Sequence, residues 1–298
     1  MSLSPDLRDA LADIGARDDA DVDLADCALL LAGLERPGVA AAPYRRHLTI
    51  LARDTGNFAG AAESPEDRAE ALRQIVAKRY GYLDAIDGQR TEEPGFGGGG
   101  PGADLANTLG DGDSADLTRV IDRRRGLSAL LAIIYADVAQ RLGWRAALVD
   151  FPVRYLLRLD GRGRRVLVDP AGAGRRLSAP DLRALLKAGG GGAAELRFQD
   201  WAPARHRDVL LRLLNLGKLR LLRANDVAGA LDRIEAMTLI APGEATPWRE
   251  AGLLHARRDD LPRAVDSLER YLALTTADGA RYRTTVLLRD LRARMEGS

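Results

Sequence analysis

Cysteine and histidine are nearly missing from this chain: one cysteine, Cys27, and three histidines, His47, His206 and His255, are spread over 298 residues. A single thiol excludes an internal disulfide framework and a cysteine-rich zinc site. The histidines fall in no metal-ligand spacing, so neither a metal nor another cofactor is expected. Net charge is missing as well. The 44 Lys plus Arg against 43 Asp plus Glu leave +1, which removes the electrostatic argument for a nucleic-acid partner. No apolar run approaches about 18 residues, so no membrane span is expected. The opening MSLSPDLRDALADIG carries acids where a secretory signal would be basic. With one thiol and no such signal, the cytoplasm is the expected compartment.

What is present is apolar residue in quantity. At 46% apolar and 29% charged, the chain reads as globular with a substantial core, long enough for one large domain or two ordinary ones. The first 85 residues carry helical spacing throughout. Leu7, Leu11 and Ile14 share one face of a helix from Pro5, and Leu24–Leu34 stops at Arg36-Pro37-Gly38. Tyr44, Leu48 and Leu51 mark a third helix from about Pro43. Ser64, ahead of Pro65, Glu66 and Asp67, caps a fourth that runs to about Tyr80.

From Gly88 to Ala115 periodicity collapses around a four-glycine run, Gly97–Gly100, which reads as a flexible insertion. A phosphate-binding loop would need a preceding strand and a following Gly-Lys-Ser/Thr, and neither is there. Leu117–Arg125 predicts a short basic helix broken by Gly126. Asp113, Asp116 and Asp122 accompany Arg123, Arg124 and Arg125 without interleaved aromatics, so that run reads as a solvated face.

Residues 129 to 136 then carry no charge at all, so the helix Ser128–Leu142 should be buried on nearly every side. Ser128 suits its N-cap and Gly143 its stop. Beyond it the period shortens. Ala146–Val149, Val153–Leu159 and Arg165–Val168 predict three antiparallel strands, with Asp160-Gly-Arg-Gly163 as a solvent-facing hairpin tip. Asp169-Pro170 closes the last strand. A helix over Ala179–Ala188 follows, then a glycine break, Gly189–Gly192.

The remainder from about Ala204 is helical and repeats itself. Ala230 and Ala264 stand 34 residues apart, the period of a tetratricopeptide repeat. Trp248, Gly252, Ala264, Leu268 and Tyr271 fill the marked positions of the second copy. Ala230, Ile234, Met237 and Pro242 fill those of the first, whose early tryptophan and glycine positions are unmatched. Arg281–Met295 predicts a capping helix. Two copies and a cap are too few to stand alone, so the segment is expected to pack on the first domain. The expected division is residues 1–200, a helical region plus a core, and residues 201–298, the repeats.

A buried helix entered through Gly-Leu-Ser, three antiparallel strands and an Asp-Pro at a strand end resembles the papain-like core of the transglutaminase-like superfamily. Within it, the SirB-type branch, a degenerate core followed by tetratricopeptide repeats, is the more similar. The matching residues are Val120-Ile-Asp-Arg-Arg-Arg-Gly126, Leu142-Gly143, Phe151-Pro152, and Leu167-Val-Asp169-Pro170 with Gly172 and Gly174. Arg212-Leu-Leu-Asn215, the segment Trp248–Ala256 and Leu268–Leu272 extend the likeness into the repeats. The fold implied is α+β, with helical flanks.

The resemblance also implies a site. Superfamily chemistry needs a cysteine at the start of the buried helix, where the helix dipole favours the thiolate. It also needs a histidine to shuttle the proton and a carboxylate to orient that histidine. Those positions fall here on Ser128, Arg154 and Asp169. Serine is a poor nucleophile without a base, and arginine stays protonated. Cys27 reads as core, His47 as a solvated residue on an arginine-rich face, His206 as the start of the C-terminal helices and His255 as a packing position. Arg154 then has two readings: an ion pair with Asp169 across the strands, or an anion pocket shared with the amides at the Ser128 helix start. Ser128, Arg154, Asp169 and Tyr155 are the ligand-binding candidates.

The expected function is a catalytically silent, transglutaminase-like module that binds a protein partner or a small anionic ligand. The alternative is an unconventional enzyme of acyl-transfer, lyase or condensation type using Ser128, Arg154 and Asp169, with Arg154 stabilising developing negative charge. A third reading is a scaffold working only through residues 204–298.

Overall fold

The structure is a computed structural model that describes residues 3–85, 115–190, 195–196 and 201–296. Apart from Ala115, the glycine-rich insertion expected at 88–115 lies outside the described residues. So do Gly191 and Gly192 of the second expected break, while Gly189 and Gly190 finish a helix.

Helices α1 (Pro5–Ala16), α2 (Leu24–Glu35), α3 (Ala42–Ala59) and α4 (Pro65–Leu72) come first. Ser64 caps α4 as its sequence predicts, accepting from the Asp67 amide at 3.1 Å. The chain then continues as a π-helical segment, Arg73–Arg79, closed by a Tyr80 N–H to Ile75 carbonyl bond of 2.9 Å. Strand β1 (Leu83–Asp84) pairs in parallel with β2 (Arg125–Gly126), which follows α5 (Leu117–Arg123). Next come α6 (Ser128–Arg141), strands β3 (Arg145–Asp150), β4 (Tyr155–Gly161), β5 (Arg164–Asp169) and β6 (Arg175–Leu177), and α7 (Ala179–Gly190). The C-terminal helices are α8 (His206–Arg223), α9 (Val227–Ile240), α10 (Ala245–Arg257), α11 (Leu261–Leu274) and α12 (Asp278–Glu296). No helix among the described residues is long and apolar enough to cross a membrane.

The chain divides into two compact units, Asp23–Leu216 and Met1–Val22 with Gly217–Ser298. This division falls inside α8, later than residue 200, and it places α1 with the C-terminal helices.

In the larger unit α6 is central. Every residue from Ala129 to Ala139 is buried. Its one buried carboxylate, Asp137, accepts from Arg141 Nε at 2.8 Å one turn on, which offsets part of the desolvation cost. The four-stranded sheet runs β3-β4-β5-β6, all antiparallel. Val149, Leu156 and Leu167 on one face pack with Leu182 and Leu186 of α7. Leu148, Leu157 and Val168 on the other face are buried too, and α6 packs against β3 and β4. Both faces are therefore covered in the middle of the sheet, while Arg145, Arg164, Arg165, Arg175 and Arg176 stay exposed at its margins. Strand β6 was not legible, because Arg175-Arg176-Leu177 offers no apolar alternation.

In the smaller unit α10 and α11 form a tightly packed pair, and α9 packs on α10 and on α1. Trp248 Nε1 donates to the Pro242 carbonyl at 3.0 Å, and Ala264, Leu268 and Tyr271 are buried, as the repeat positions require.

Candidate functional site

Ser128 is the first residue of α6 and not its cap. The N-cap is Leu127, extended at φ −62° and ψ 149°, with no side-chain hydrogen bond to the helix start. The cap therefore lies one residue before Ser128: Leu127 is buried, and an apolar side chain holds the entry where its sequence predicts a polar cap. Ser128 is half-buried and makes no side-chain hydrogen bond among the described residues.

Asp169 ends β5 and is 4% exposed. Arg154 lies in the bend between β3 and β4, and its Nη1 stands 3.7 Å from Asp169 Oδ2. That distance makes an ion pair looser than a hydrogen bond. About a quarter of the Arg154 side chain is exposed, so the guanidinium keeps donors for a second partner.

The loop after Asp169 folds back over the carboxylate. Gly174 N–H donates to the Asp169 carbonyl at 2.9 Å, and a Cβ on Gly172 would come within 2.6 Å of Asp169 Oδ2. A Cβ on Gly174, at φ +72°, would lie 2.7 Å from the Tyr135 hydroxyl. Glycine is needed at both places for close approach. Asp169 Oδ1 and the Tyr135 hydroxyl are both buried with no hydrogen-bond partner among the described residues. Burial pushes the Tyr135 phenol up, the Asp169 carboxylate adds to this, and Arg73 offsets part of it. Tyr135 escaped the sequence reading because it sits inside an apolar helix. Its only signal is its place seven residues after Ser128, two turns along the same face.

Tyr155 has other neighbours. Its ring lies beneath the Arg212 guanidinium at 5.3 Å, and Arg212 Nη1 donates to Asp150 at 3.2 Å. Burial pushes its phenol up to about 12, with Asp150 adding to the effect. The contacts thus bring Arg154 and Asp169 together, with Tyr135 beside Asp169, while Tyr155 joins Arg212 and Asp150.

A second polar cluster corrects two expectations. His47 is not solvated: it is half-buried, and its Nε2 lies 2.9 Å from the Tyr82 hydroxyl and 2.8 Å from Arg124 Nη1. A guanidinium only donates, so Nε2 accepts and the ring proton sits on Nδ1. Burial and then Arg124 lower the His47 pKa from 6.5 to about 4. Arg124 is likewise no part of a solvated helix face. It adopts a left-handed conformation at φ 60°, donates to the Tyr82 hydroxyl, and lies 4.9 Å from the Tyr82 ring and 5.9 Å from that of Tyr80. Tyr80 in turn donates to Asp54 at 2.8 Å. The Arg162 hairpin tip, expected to face solvent, is exposed but paired with Glu63. His255 stays inside the second repeat, Nδ1 3.3 Å from Asp260 Oδ2.

This architecture, a buried helix against a small antiparallel sheet with repeat helices after it, defines a class: a transglutaminase-like domain followed by tetratricopeptide repeats. Residues 103–215 match the transglutaminase-like superfamily and residues 218–289 match a tetratricopeptide repeat. A UPF0162 protein of Pseudomonas aeruginosa is 30% identical over 254 residues, 85% of this chain and 84% of that protein. One of Xylella fastidiosa is 33% identical over 166 residues, and YchA of Escherichia coli is 29% identical over 161. These last two alignments span 57% and 60% of the relatives' own lengths. The chain belongs to the UPF0162 family. No solved structure matches it.

Proposed function

We propose that the chain is a catalytically silent member of this class, a cytoplasmic module that binds a protein partner or a small anionic ligand. The observation that carries the reading is Arg154. It occupies the position assigned to the proton-shuttling base, and its charge is committed to Asp169 at 3.7 Å. A guanidinium cannot take a proton from Ser128 under physiological conditions. His47 and His255, held by Tyr82 with Arg124 and by Asp260, are engaged elsewhere. The exposed edge of Arg154 favours a carboxylate or phosphate, which guanidinium geometry recognises with paired donors. The repeat helices give a protein partner a surface.

The test is direct. Pure protein incubated with glutamine and amine donors, and with activated acyl esters, is expected to show no turnover above buffer. Turnover that disappears in Ser128→Ala would overturn the silent reading. Binding of small carboxylates or inorganic phosphate, followed by calorimetry, is expected to weaken at least ~10-fold in Arg154→Ala, the loss of one charge-assisted pair.

A further inference from the structure

The terminal strand of the sheet carries charge that the fold does not consume. Strand β6 ends the order β3-β4-β5-β6 and presents Arg175 and Arg176, both exposed. The π-helical segment brings Arg73 beside it, and β5 brings Arg165. These four guanidiniums line one groove of about 540 Å³, with the half-buried Val166 and Leu177 as its apolar part. Three carboxylates line it too: Glu66 and Glu70 from α4, and Asp181 from the first turn of α7.

Each carboxylate is already engaged. Asp181 accepts from the Ser178 hydroxyl at 2.5 Å, the Ser178 amide at 2.9 Å and Arg175 Nη1 at 2.9 Å. Those contacts, Ser178 first, hold its carboxyl below the usual range. Glu70 accepts from Gln74 Nε2 at 2.5 Å, the main reason that its pKa is lowered as well. Glu66 Oε1 pairs with Arg164 Nη1 at 3.1 Å, and Oε2 is buried.

The arginines are less fully used. Arg175 commits Nη1 to Asp181, and Arg165 commits Nε to Asp160 at 3.0 Å. Arg73 reaches Glu70 only at 3.4 Å, the loose end of hydrogen-bond range. The Arg176 side chain has no hydrogen bond or ion pair among the described residues. A guanidinium carries five N–H donors and accepts nothing, so the groove holds a surplus of donors. The three terminal oxygens of a phosphoryl group meet several guanidiniums at once, where a carboxylate offers two.

We propose that this groove is a second anion site and that it takes the phosphoryl group of a small phosphomonoester. Ser128, Arg154 and Asp169 do not line it, so the inference stands apart from the silent reading.

The test follows the arginine Nε–H resonances of the full chain by NMR during titration with phenyl phosphate. Physiological ionic strength screens distant charges. The resonances of Arg73, Arg165, Arg175 and Arg176 are expected to move along one saturating curve. Benzoate, with the same ring and a carboxylate, is expected to bind at least ~10-fold more weakly. Arg176→Ala removes an exposed side chain, which leaves the fold intact, and is expected to weaken phenyl phosphate at least ~10-fold. Arg154→Ala is expected to leave the curve unchanged, which separates this groove from the Arg154 site. Arg145→Ala, which removes an exposed charge from the opposite edge strand, is also expected to leave it unchanged. Equal binding of benzoate, an equal loss in Arg145→Ala, a curve abolished by Arg154→Ala, or no saturation would overturn the proposal.

Discussion

At the residue scale the site is a question of which charges are matched. Asp169 has one oxygen near Arg154 and one with no partner among the described residues, inside a pocket closed by Gly172 and Gly174. Removing the guanidinium leaves a carboxylate that is 4% exposed and uncompensated. Truncating one partner of a fully buried pair costs about 3–5 kcal/mol. The partial exposure of Arg154 and the 3.7 Å separation reduce this. Arg154→Ala is therefore expected to destabilise by ~1–2 kcal/mol in urea unfolding, with Asp169→Asn recovering most of the loss in the double variant. Additive losses would show that the two side chains are not coupled. Tyr135 gives a second reading of the same pocket. Its hydroxyl is buried and has no partner among the described residues, so Tyr135→Phe is expected to leave stability unchanged or raise it by up to ~1 kcal/mol. A clear loss would instead place a bridging group between Tyr135 and Asp169.

At the element scale the helix α6 and the turn that follows β5 carry the unit. Ile134 is fully buried in α6, and Ile134→Ala is expected to cost ~2–5 kcal/mol by the cavity it leaves. Gly174→Ala is expected to cost at least ~1–3 kcal/mol, because the new methyl meets the Tyr135 hydroxyl at a left-handed residue. Both are read by chemical denaturation. Most elements were legible because they announce themselves locally. The charge-free run 129–136 marks a buried helix, Ser64-Pro65 marks a helix start, and β4 and β5 are short apolar runs on either side of Asp160-Gly-Arg-Gly163. What escaped depends on distant partners. Leu127 takes the cap position from Ser128 because burial outweighs capping there. Strand β6 is recruited by β5 despite two arginines. Gly15 reads as an ordinary helix residue until Leu239 is placed against it. Asp169 and Arg154 were legible as positions, but Tyr135 needed the fold to bring it to them.

At the scale of the whole molecule, the cluster around His47 ties α3, the end of the π-helical segment and the turn after α5 into one assembly. Tyr80 and Tyr82 reach it from one side, and Arg124 enters it from the β2 side. Its pH dependence follows from a single sign. His47 has a folded pKa of about 4 against an unfolded value of 6.5, so between those values the unfolded chain holds the extra proton. The stabilisation is complete above pH 6.5 and is lost as pH falls toward 4, where a folded imidazolium would face Arg124. The full shift corresponds to a ceiling of about 3 kcal/mol. Because the ring is only half-buried, ~1–2 kcal/mol is the reasonable expectation. Carboxylates also titrate near the lower end, so the measurement is a difference. The stability of the wild-type chain and of His47→Gln, which keeps an acceptor but does not titrate, is followed by urea unfolding from pH 7 to pH 4. The wild type is expected to lose ~1–2 kcal/mol more than the variant across that window, most of it below pH 6. Parallel curves would mean that His47 titrates alike in the folded and unfolded chain, and that the Arg124 contact does not hold in solution.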